Sequence, residues 1–244
     1  MQIKNKKTMH LFYIEDVITG EITFSEQESR HCVKALRLKA GDELHLTDGK
    51  GNLYKGRLID NNIKSCQVSV EEQITDYPKL SYCLHIGVAP TKNSDRLEWF
   101  IEKAVEIGIS GITALACDNS EHISVKADRI QRLMISAMKQ SLRTDLPTFT
   151  PTVSFSAFVQ EHQNYPQKYI AYCGELAQNP PLLQTVCLPH QDTLILIGPE
   201  GDFSPKEIQE AMDCGFVPVS LGKFRLRTET AALFACAAVQ VING

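Results

Sequence analysis

The chain has 244 residues, 43% of them hydrophobic and 22% charged, which is enough for one large domain or two modest ones. No apolar run approaches the roughly 18 residues of a membrane span, and the basic first residues lack the apolar stretch of a signal peptide, so we expect a cytoplasmic protein. A formal charge of −4 disfavours a general nucleic-acid-binding protein but leaves room for an enzyme with local basic patches.

The eight cysteines are spread along the chain, and no two have the close spacing of a zinc site. Several lie in apolar, strand-like contexts, as Cys83 does. We therefore expect reduced cysteines that pack as small hydrophobic residues. The sequence predicts neither a metal site nor a disulfide framework.

The first third of the chain predicts a small β-barrel. Turn signals recur at residues 19–20, 40–42 and 48–52. Apolar and polar residues alternate in the strands predicted at residues 43–47, 53–59 and 66–70. One helix interrupts this pattern, because Ser25 and Glu28 form a capping box and an apolar face follows at Cys32, Val33 and Leu36.

The pattern changes near Tyr77-Pro78, where we place the boundary between a domain of residues 1–77 and a domain of residues 78–244. Strands are predicted at residues 80–88, 112–117, 168–173, 193–197 and 217–221. Helices are predicted at residues 94–107, capped by Ser94 and ended by Gly108, at 126–143, at 204–214 and from 229 onward, with a surface loop at 174–189. This alternation predicts a largely parallel sheet covered on both faces.

Two segments that follow strands are candidate ligand loops, because α/β domains bind ligands at the carboxyl ends of their strands. In the first, residues 197–203, Gly198 and Gly201 leave main-chain groups free to face a ligand. The second, residues 221–231, leads into a helix that Thr228 or Thr230 could cap, and its free N–H groups favour an anionic ligand group. Each segment alone also fits an ordinary turn or helix start, and neither is a Walker or Rossmann motif.

Together, the two loops resemble the knot loops of SPOUT-class methyltransferases, and more narrowly those of the RsmE family, the 16S rRNA (uracil(1498)-N(3))-methyltransferases. The resemblance covers nearly the whole chain. Residues 31–42 and 48–51 are similar to the family's PUA-like barrel, and residues 102–108 and 140–143 to its middle helices. Residues 198–201 and 226–231 match its cofactor loops and are the specific motifs.

The resemblance implies an α/β fold in which a small PUA-like β-barrel precedes a trefoil-knotted parallel-sheet domain. It also implies an S-adenosyl-L-methionine cofactor, an obligate homodimer, and methylation of N3 of a uridine in the 16S rRNA of the small ribosomal subunit. Carried over by position, the cofactor would contact Ile197, Gly198, Pro199, Glu200, Gly201, Leu221, Gly222, Leu226, Thr228, Thr230 and Ala231. The alternatives are a SPOUT enzyme acting on another RNA position and a non-catalytic RNA-binding or ribosome-assembly factor.

The sequence departs from the usual family pattern in three places. Asp202 stands where a second glycine is common, and Phe224-Arg225 stands where Arg-Ile is usual. Met138-Lys139 stands where alanine or glutamate is typical. The first two departures lie in the ligand loops.

Two residues of the second loop are candidates for catalysis. Uracil N3 must lose a proton, so Arg227 could stabilise the negative charge that develops or hold a phosphate or uracil oxygen. Glu229 could accept the proton or merely favour the helix N-terminus electrostatically. Reaching N3 also requires the base to be unpaired or flipped out.

Basic residues on the barrel are candidates for RNA contact, namely Arg30, Lys34, Arg37 and Lys39. Their spacing predicts that Arg30, Lys34 and Arg37 share one helical face, which would equally suit a solvated surface. Arg143 could bind an RNA phosphate or an interface carboxylate.

Overall fold

The computed structural model describes residues 9–16, 20–120, 125–172 and 179–244. It divides the chain into two compact units, Met1–Lys79 with Met138–Leu146, and Leu80–Ala137 with Pro147–Gly244. Three sequence predictions lie outside the described residues: the start of the turn at Thr19, the strand end at Cys173 and the loop at 174–178. None of the helices within the described ranges is long and apolar enough to cross a membrane.

The first unit contains a five-stranded sheet in the order β1-β3-β4-β5-β2. Its strands are β1 Leu11–Tyr13, β2 Gly20–Thr23, β3 Glu43–Thr47, β4 Leu53–Leu58 and β5 Gln67–Ile74. The pairing is antiparallel except between β1 and β3. The alternation that predicted β3, β4 and β5 places Leu44, Leu46 and Val68 in a buried cluster with Phe12 and Phe24.

The helix of this unit is shorter than its apolar face suggests. Helix α1, Glu26–Arg30, begins where the Ser25 hydroxyl accepts a hydrogen bond from the Glu28 amide, and a π-helical turn, His31–Ala35, follows. Arg37 lies beyond this turn with φ +56°, a left-handed backbone conformation. The prediction that Arg37 shares a helical face with Arg30 and Lys34 is therefore wrong, because the helix has ended before residue 37.

The segment 138–146 contacts the turns of the first unit. The Thr47 hydroxyl donates to the Thr144 carbonyl at 2.8 Å, and the Gly51 amide donates to the same carbonyl at 2.9 Å. The Tyr77 hydroxyl donates to the Leu142 carbonyl at 2.6 Å. These bonds join the segment to β3, to the turn after β3 and to the end of the first domain.

The second unit contains a six-stranded sheet in the order β11-β9-β10-β6-β7-β8, and all of its pairings are parallel. The strands are β6 Leu84–Val88, β7 Gly111–Ala116, β8 Thr148–Ser154, β9 Gln167–Ala171, β10 Thr193–Ile197 and β11 Val217–Val219. The helices are α2 Ser94–Ile107, α3 Ala127–Gln140, α4 Phe155–Glu161, α5 Leu183–Val186, α6 Pro205–Asp213 and α7 Thr228–Asn243. Every residue of β10 is buried, so both faces of the sheet are covered there, as predicted.

Local signals mark several of these boundaries. Ser204 and Glu207 form the predicted capping box of α6, and Gly108 ends α2 with φ +128°. The cap of α2 is Asn93 and not Ser94, because the Asn93 side chain accepts from the Asp95 amide at 2.9 Å.

Some features of the second unit differ from the sequence predictions. Strand β8 and helix α4 were not predicted, and the short α5 lies within the predicted loop 174–189. Cys83 is exposed and not part of a buried strand, because β6 begins one residue later. The other described cysteines are buried, as expected of small hydrophobic residues.

Candidate active site

A cavity of about 430 Å³ lies at the carboxyl ends of β9, β10 and β11. Strand β9 leads into Ala171 and Tyr172, β10 into the first ligand loop and β11 into the second. The position follows the general rule that parallel sheets bind ligands at this edge. The lining residues are Arg96, Ala171, Tyr172, Ile197, Gly198, Pro199, Glu200, Asp202, Leu221, Gly222, Phe224, Arg225, Leu226, Arg227, Thr228 and Ala231.

The first loop is a tight turn at Pro199–Asp202. The Asp202 amide donates to the Pro199 carbonyl at 2.9 Å, and Asp202 has φ +65°. This backbone is left-handed, a conformation that suits glycine and that aspartate tolerates better than most other residues. The departure at Asp202 is therefore compatible with the turn.

The glycines of the two loops serve different needs. A Cβ at Gly201 would stand 3.2 Å from Asn119 Cβ, so this glycine lets the loop pack against its own chain. Gly222 has φ +139°, and among the described residues no atom lies within 4 Å of where its Cβ would stand. The backbone at Gly222 is therefore open, as the expected contact with a ligand requires.

Side-chain hydrogen bonds tie the two predicted loops together. Arg225 Nη2 donates to the Glu200 carbonyl at 3.0 Å, and Thr228 Oγ1 donates to the Gly198 carbonyl at 3.0 Å. The second loop is also held from within, because the Ser220 hydroxyl bonds both the amide and the carbonyl of Gly222. The two motifs that are about 30 residues apart in sequence therefore form one site.

Helix α7 begins at Thr228, and its N-cap residue is Arg227. The prediction that Thr228 or Thr230 caps the helix is wrong, because the Thr228 hydroxyl bonds Gly198 and no side chain of the described residues caps this end. The first N–H groups of α7 therefore have no side-chain acceptor there and suit a negatively charged ligand group.

Arg96 was not predicted as a site residue. It lies in the first turn of α2, after the carboxyl end of β6. Its Nη1 is 3.4 Å from Glu200 Oε1, and its Nε is 3.8 Å from Glu229 Oε1. The only sequence signal was its position shortly after a strand, which many unrelated residues share. Tyr172, Phe224 and Arg225 line the cavity as well and were not predicted to.

The structure brings most of the predicted cofactor residues together. All of them line the cavity except Gly201 and Thr230. Arg227 lines it too, whereas Glu229 is buried at 8% exposure and does not lie on the wall.

The predicted RNA-binding residues belong to the first unit. Arg30, Lys34, Arg37 and Lys39 are exposed, and Arg30 pairs with Glu26. The side chain of Arg143 is 11% exposed and pairs with Asp145, a carboxylate of its own unit.

Comparison with known proteins gives the family. Residues 78–240 match the family model described as RNA methyltransferase domain, and residues 24–71 match the model described as RNA methyltransferase PUA domain. The predicted α/β fold class, with a parallel-sheet methyltransferase domain after a PUA domain, is thereby confirmed.

Individual relatives resemble the chain over nearly its full length. A probable rRNA-methyltransferase from Porphyromonas gingivalis is 38% identical, with a TM-score of 0.89, and the match covers 96% of this chain and 98% of that one. Ribosomal RNA small subunit methyltransferase E from Neisseria gonorrhoeae, solved with S-adenosyl methionine, is 26% identical, with a TM-score of 0.86 and coverage of 97% and 98%. The protein of that name from Buchnera aphidicola subsp. Acyrthosiphon pisum is 29% identical over 99% of this chain and 96% of its own length.

Fold, cavity and sequence together define an RNA methyltransferase with an N-terminal PUA domain. The chain belongs to the ribosomal RNA small subunit methyltransferase E family, the RsmE family that the two loop motifs predicted.

Proposed function

We propose that this protein transfers a methyl group from S-adenosyl-L-methionine to N3 of a uridine in the 16S rRNA of the small ribosomal subunit. The observation that carries the proposal is the cavity lined by both family motifs. Side-chain hydrogen bonds of Arg225 and Thr228 connect these two motifs. The names of the family's members specify the substrate class.

The cavity suits the cofactor in size and chemistry. Its volume of about 430 Å³ falls within the range usual for small-molecule sites. Ile197, Leu221 and Leu226 offer apolar surface for an adenine, and the carboxylates of Glu200 and Asp202 suit the cationic parts of the cofactor. When bound, the cofactor supplies a methyl group already activated on a sulfonium, so the protein mainly has to control position and charge.

Arg227 is proposed to stabilise the charge that develops on the uracil. When N3 loses its proton, negative charge spreads to the neighbouring oxygens, and the guanidinium of Arg227, which lines the cavity, can bind them. Arg227 is also the N-cap residue of α7, so its backbone is held at the helix start. A backbone that is held in place reduces the rearrangement needed to bring the side-chain charge to the substrate.

Glu229 has two candidate roles. It could accept the N3 proton, since its Oε2 is buried and has no hydrogen-bond partner among the described residues. It could instead position Arg96, whose guanidinium it contacts. The geometry favours the second role, because Arg96 lies on the cavity wall and Glu229 does not.

In this proposal, one domain binds RNA and the other transfers the methyl group. Residues 1–77 form a PUA-like RNA-binding domain that contacts phosphates through Arg30, Lys34, Arg37 and Lys39. Residues 78–244 form the methyltransferase domain, with the two ligand loops in a trefoil knot. The protein acts as a homodimer in the cytoplasm, where its substrate is. Arg143 is a weaker candidate for RNA contact, because Asp145 already pairs with it and little of it is exposed.

Mapping of methylated nucleosides in 16S rRNA by mass spectrometry tests the proposal. RNA from a strain that lacks the gene should lose one N3-methyluridine, and the wild-type gene should restore it whereas Arg227→Ala should not. Loss of a methyl group at another atom would favour a SPOUT enzyme of different specificity. Calorimetry that detects no binding of S-adenosyl-L-methionine would favour a non-catalytic RNA-binding factor.

A further inference from the structure

Phe224 is an aromatic side chain held in solvent at the cavity wall. It is 86% exposed and lines the cavity, although phenylalanine is among the residues most often found inside proteins. Because the ring lies on the wall of the cavity, a substrate that reaches the cavity can cover it.

The loop that carries Phe224 is anchored on both sides. The Ser220 hydroxyl bonds Gly222 before the ring, and Arg225 Nη2 bonds the Glu200 carbonyl after it. These bonds restrict the backbone from which the ring projects. A ligand that stacks on the ring therefore loses less affinity to ordering of the loop.

The neighbours of Phe224 indicate what covers it. Lys223, Arg225 and Arg227 are exposed cations that follow and precede the ring in the same loop. Cations interleaved with an exposed aromatic ring are typical of sites for unpaired nucleic acid, where the cations contact the backbone and the ring stacks on a base. Methylation at N3 needs such a base, because N3 is hidden in a pair.

We propose that Phe224 is the stacking platform for the extruded target uracil. The inference rests on the proposed function and adds a residue that neither the family motifs nor the loop contacts assign. The face of the uracil stacks on the ring, which leaves the edge that carries N3 free to turn toward the cavity. Arg227 then lies in the same loop as the ring that holds the base.

A double-variant cycle, in which both the protein and the RNA are changed, tests whether Phe224 stacks on the uracil. The probes are two single-stranded RNA oligonucleotides that carry either uridine or an abasic site at the central position. Phe224→Ala should weaken binding of the uridine RNA about tenfold or more, the size usual for loss of one stacked base, and should bind the abasic RNA as the wild type does. Phe224→Tyr should restore the affinity.

Two control variants separate stacking from charge and from general surface effects. Lys223→Ala should lower the salt slope of binding by about one and affect both RNAs equally, whereas Phe224→Ala should leave the slope unchanged. Leu188→Ala removes another exposed apolar side chain of the same unit that does not line the cavity, and it should change neither affinity.

Several outcomes would overturn the inference. Equal loss of affinity for the uridine and abasic RNAs would mean that Phe224 does not contact the base. Loss of S-adenosyl-L-methionine affinity in Phe224→Ala would place the ring against the cofactor, and a change of mass in light scattering would place it against a second subunit.

One outcome separates the stacking from the proposed function. A wild-type protein that methylates no uridine, yet binds the uridine RNA more tightly than the abasic RNA, would count against the proposed function and not against the stacking.

Discussion

The guanidinium of Arg96 joins Glu229 to the first ligand loop. Its Nε is 3.8 Å from Glu229 Oε1, and its Nη1 is 3.4 Å from Glu200 Oε1. The Glu229 side chain is only 10% exposed, while that of Glu200 is 56% exposed. Arg96 is therefore the counter-ion of a buried carboxylate and makes a weaker, solvated contact on the loop side.

This relationship predicts different costs for the two ion pairs. Arg96→Gln leaves Glu229 buried without its cation and should lower the free energy of unfolding by about 1–3 kcal/mol. Glu200→Gln removes only the exposed ion pair with Arg96 and should lower the free energy of unfolding by about 0–1 kcal/mol. Urea denaturation followed by circular dichroism measures both values.

A double variant serves as the control for the Arg96 prediction. Combining Arg96→Gln with Glu229→Gln removes both charges, so it should be more stable than the sum of the two single changes predicts. Strict additivity would mean that the two side chains do not interact in solution. If Glu229 acts through Arg96, the two single variants should also slow methylation by similar factors.

Gly222 is predicted to be essential for cofactor binding. Gly222→Val adds a branched side chain to an open backbone face and at φ +139°, which valine rarely adopts, so affinity for S-adenosyl-L-methionine should be lost. Isothermal titration calorimetry measures the affinity. Gly41→Val is the matched control, because Gly41 has φ +90° and also has open space around it, but lies in the first unit. Gly41→Val should reduce stability and leave the affinity for S-adenosyl-L-methionine unchanged. Undiminished affinity in Gly222→Val would mean that the loop has only a structural role.

Local sequence signals predicted the parts of the site that depend on nearby residues. The apolar run of β10 and the capping box of Ser204 and Glu207 bound the first ligand loop, and both could be read within a few residues. The contact of Arg96 with Glu229 joins residues 133 positions apart in sequence, and no local pattern encodes such a distance. Arg96 was missed for that reason.

The lack of a local sequence signal also explains where the observed fold differs from the fold predicted from sequence. Strands β1 and β2 have three and four residues, which is too short for an alternation to stand out. The segment Met138–Leu146 belongs to the first unit through bonds such as that between Thr47 and Thr144, which are 97 positions apart. A change of composition near Tyr77 could mark where one domain ends but not that a later segment returns to it.

His85 is predicted to make stability depend on pH. Burial, together with a smaller effect of the nearby His162, lowers its pKa to about 4, whereas the unfolded chain has the ordinary value of 6.5. Between these pH values, the imidazole of His85 binds a proton in the unfolded chain but not in the folded one. The stability that the neutral histidine contributes is therefore complete above about pH 6.5 and is lost as the pH falls toward 4. The loss should reach up to about 3 kcal/mol.

The variant His85→Gln isolates this effect. Glutamine can keep a hydrogen bond to Thr113, whose hydroxyl lies 2.9 Å from His85 Nε2, but it does not titrate. Urea midpoints measured from pH 7 down to pH 4.5 should fall less steeply for this variant than for the wild type. Parallel curves would assign the acid sensitivity to other groups.

The last prediction separates RNA recognition from catalysis. Lys34 and Arg37 belong to the first unit and are exposed, so we assign them only to RNA phosphates. Because Arg37 has φ +56°, we replace it by asparagine, which tolerates this backbone and carries no charge, and we change Lys34 to alanine. The double variant should bind RNA more weakly, with a salt slope lower by about one for each lost contact, and should keep a near-normal methylation rate at saturating RNA.

Arg227 lines the cavity, so its loss should have the opposite signature. Arg227→Ala keeps the backbone of the helix cap but removes the cation, and the saturated methylation rate should fall roughly 10²-fold or more. Single-turnover methylation at increasing RNA concentration separates the rate from the affinity for each variant. If the double variant of the first unit slows the saturated rate while Arg227→Ala changes only RNA affinity, then the first unit contributes to the chemistry and Arg227 only to binding, the reverse of the roles assigned to them.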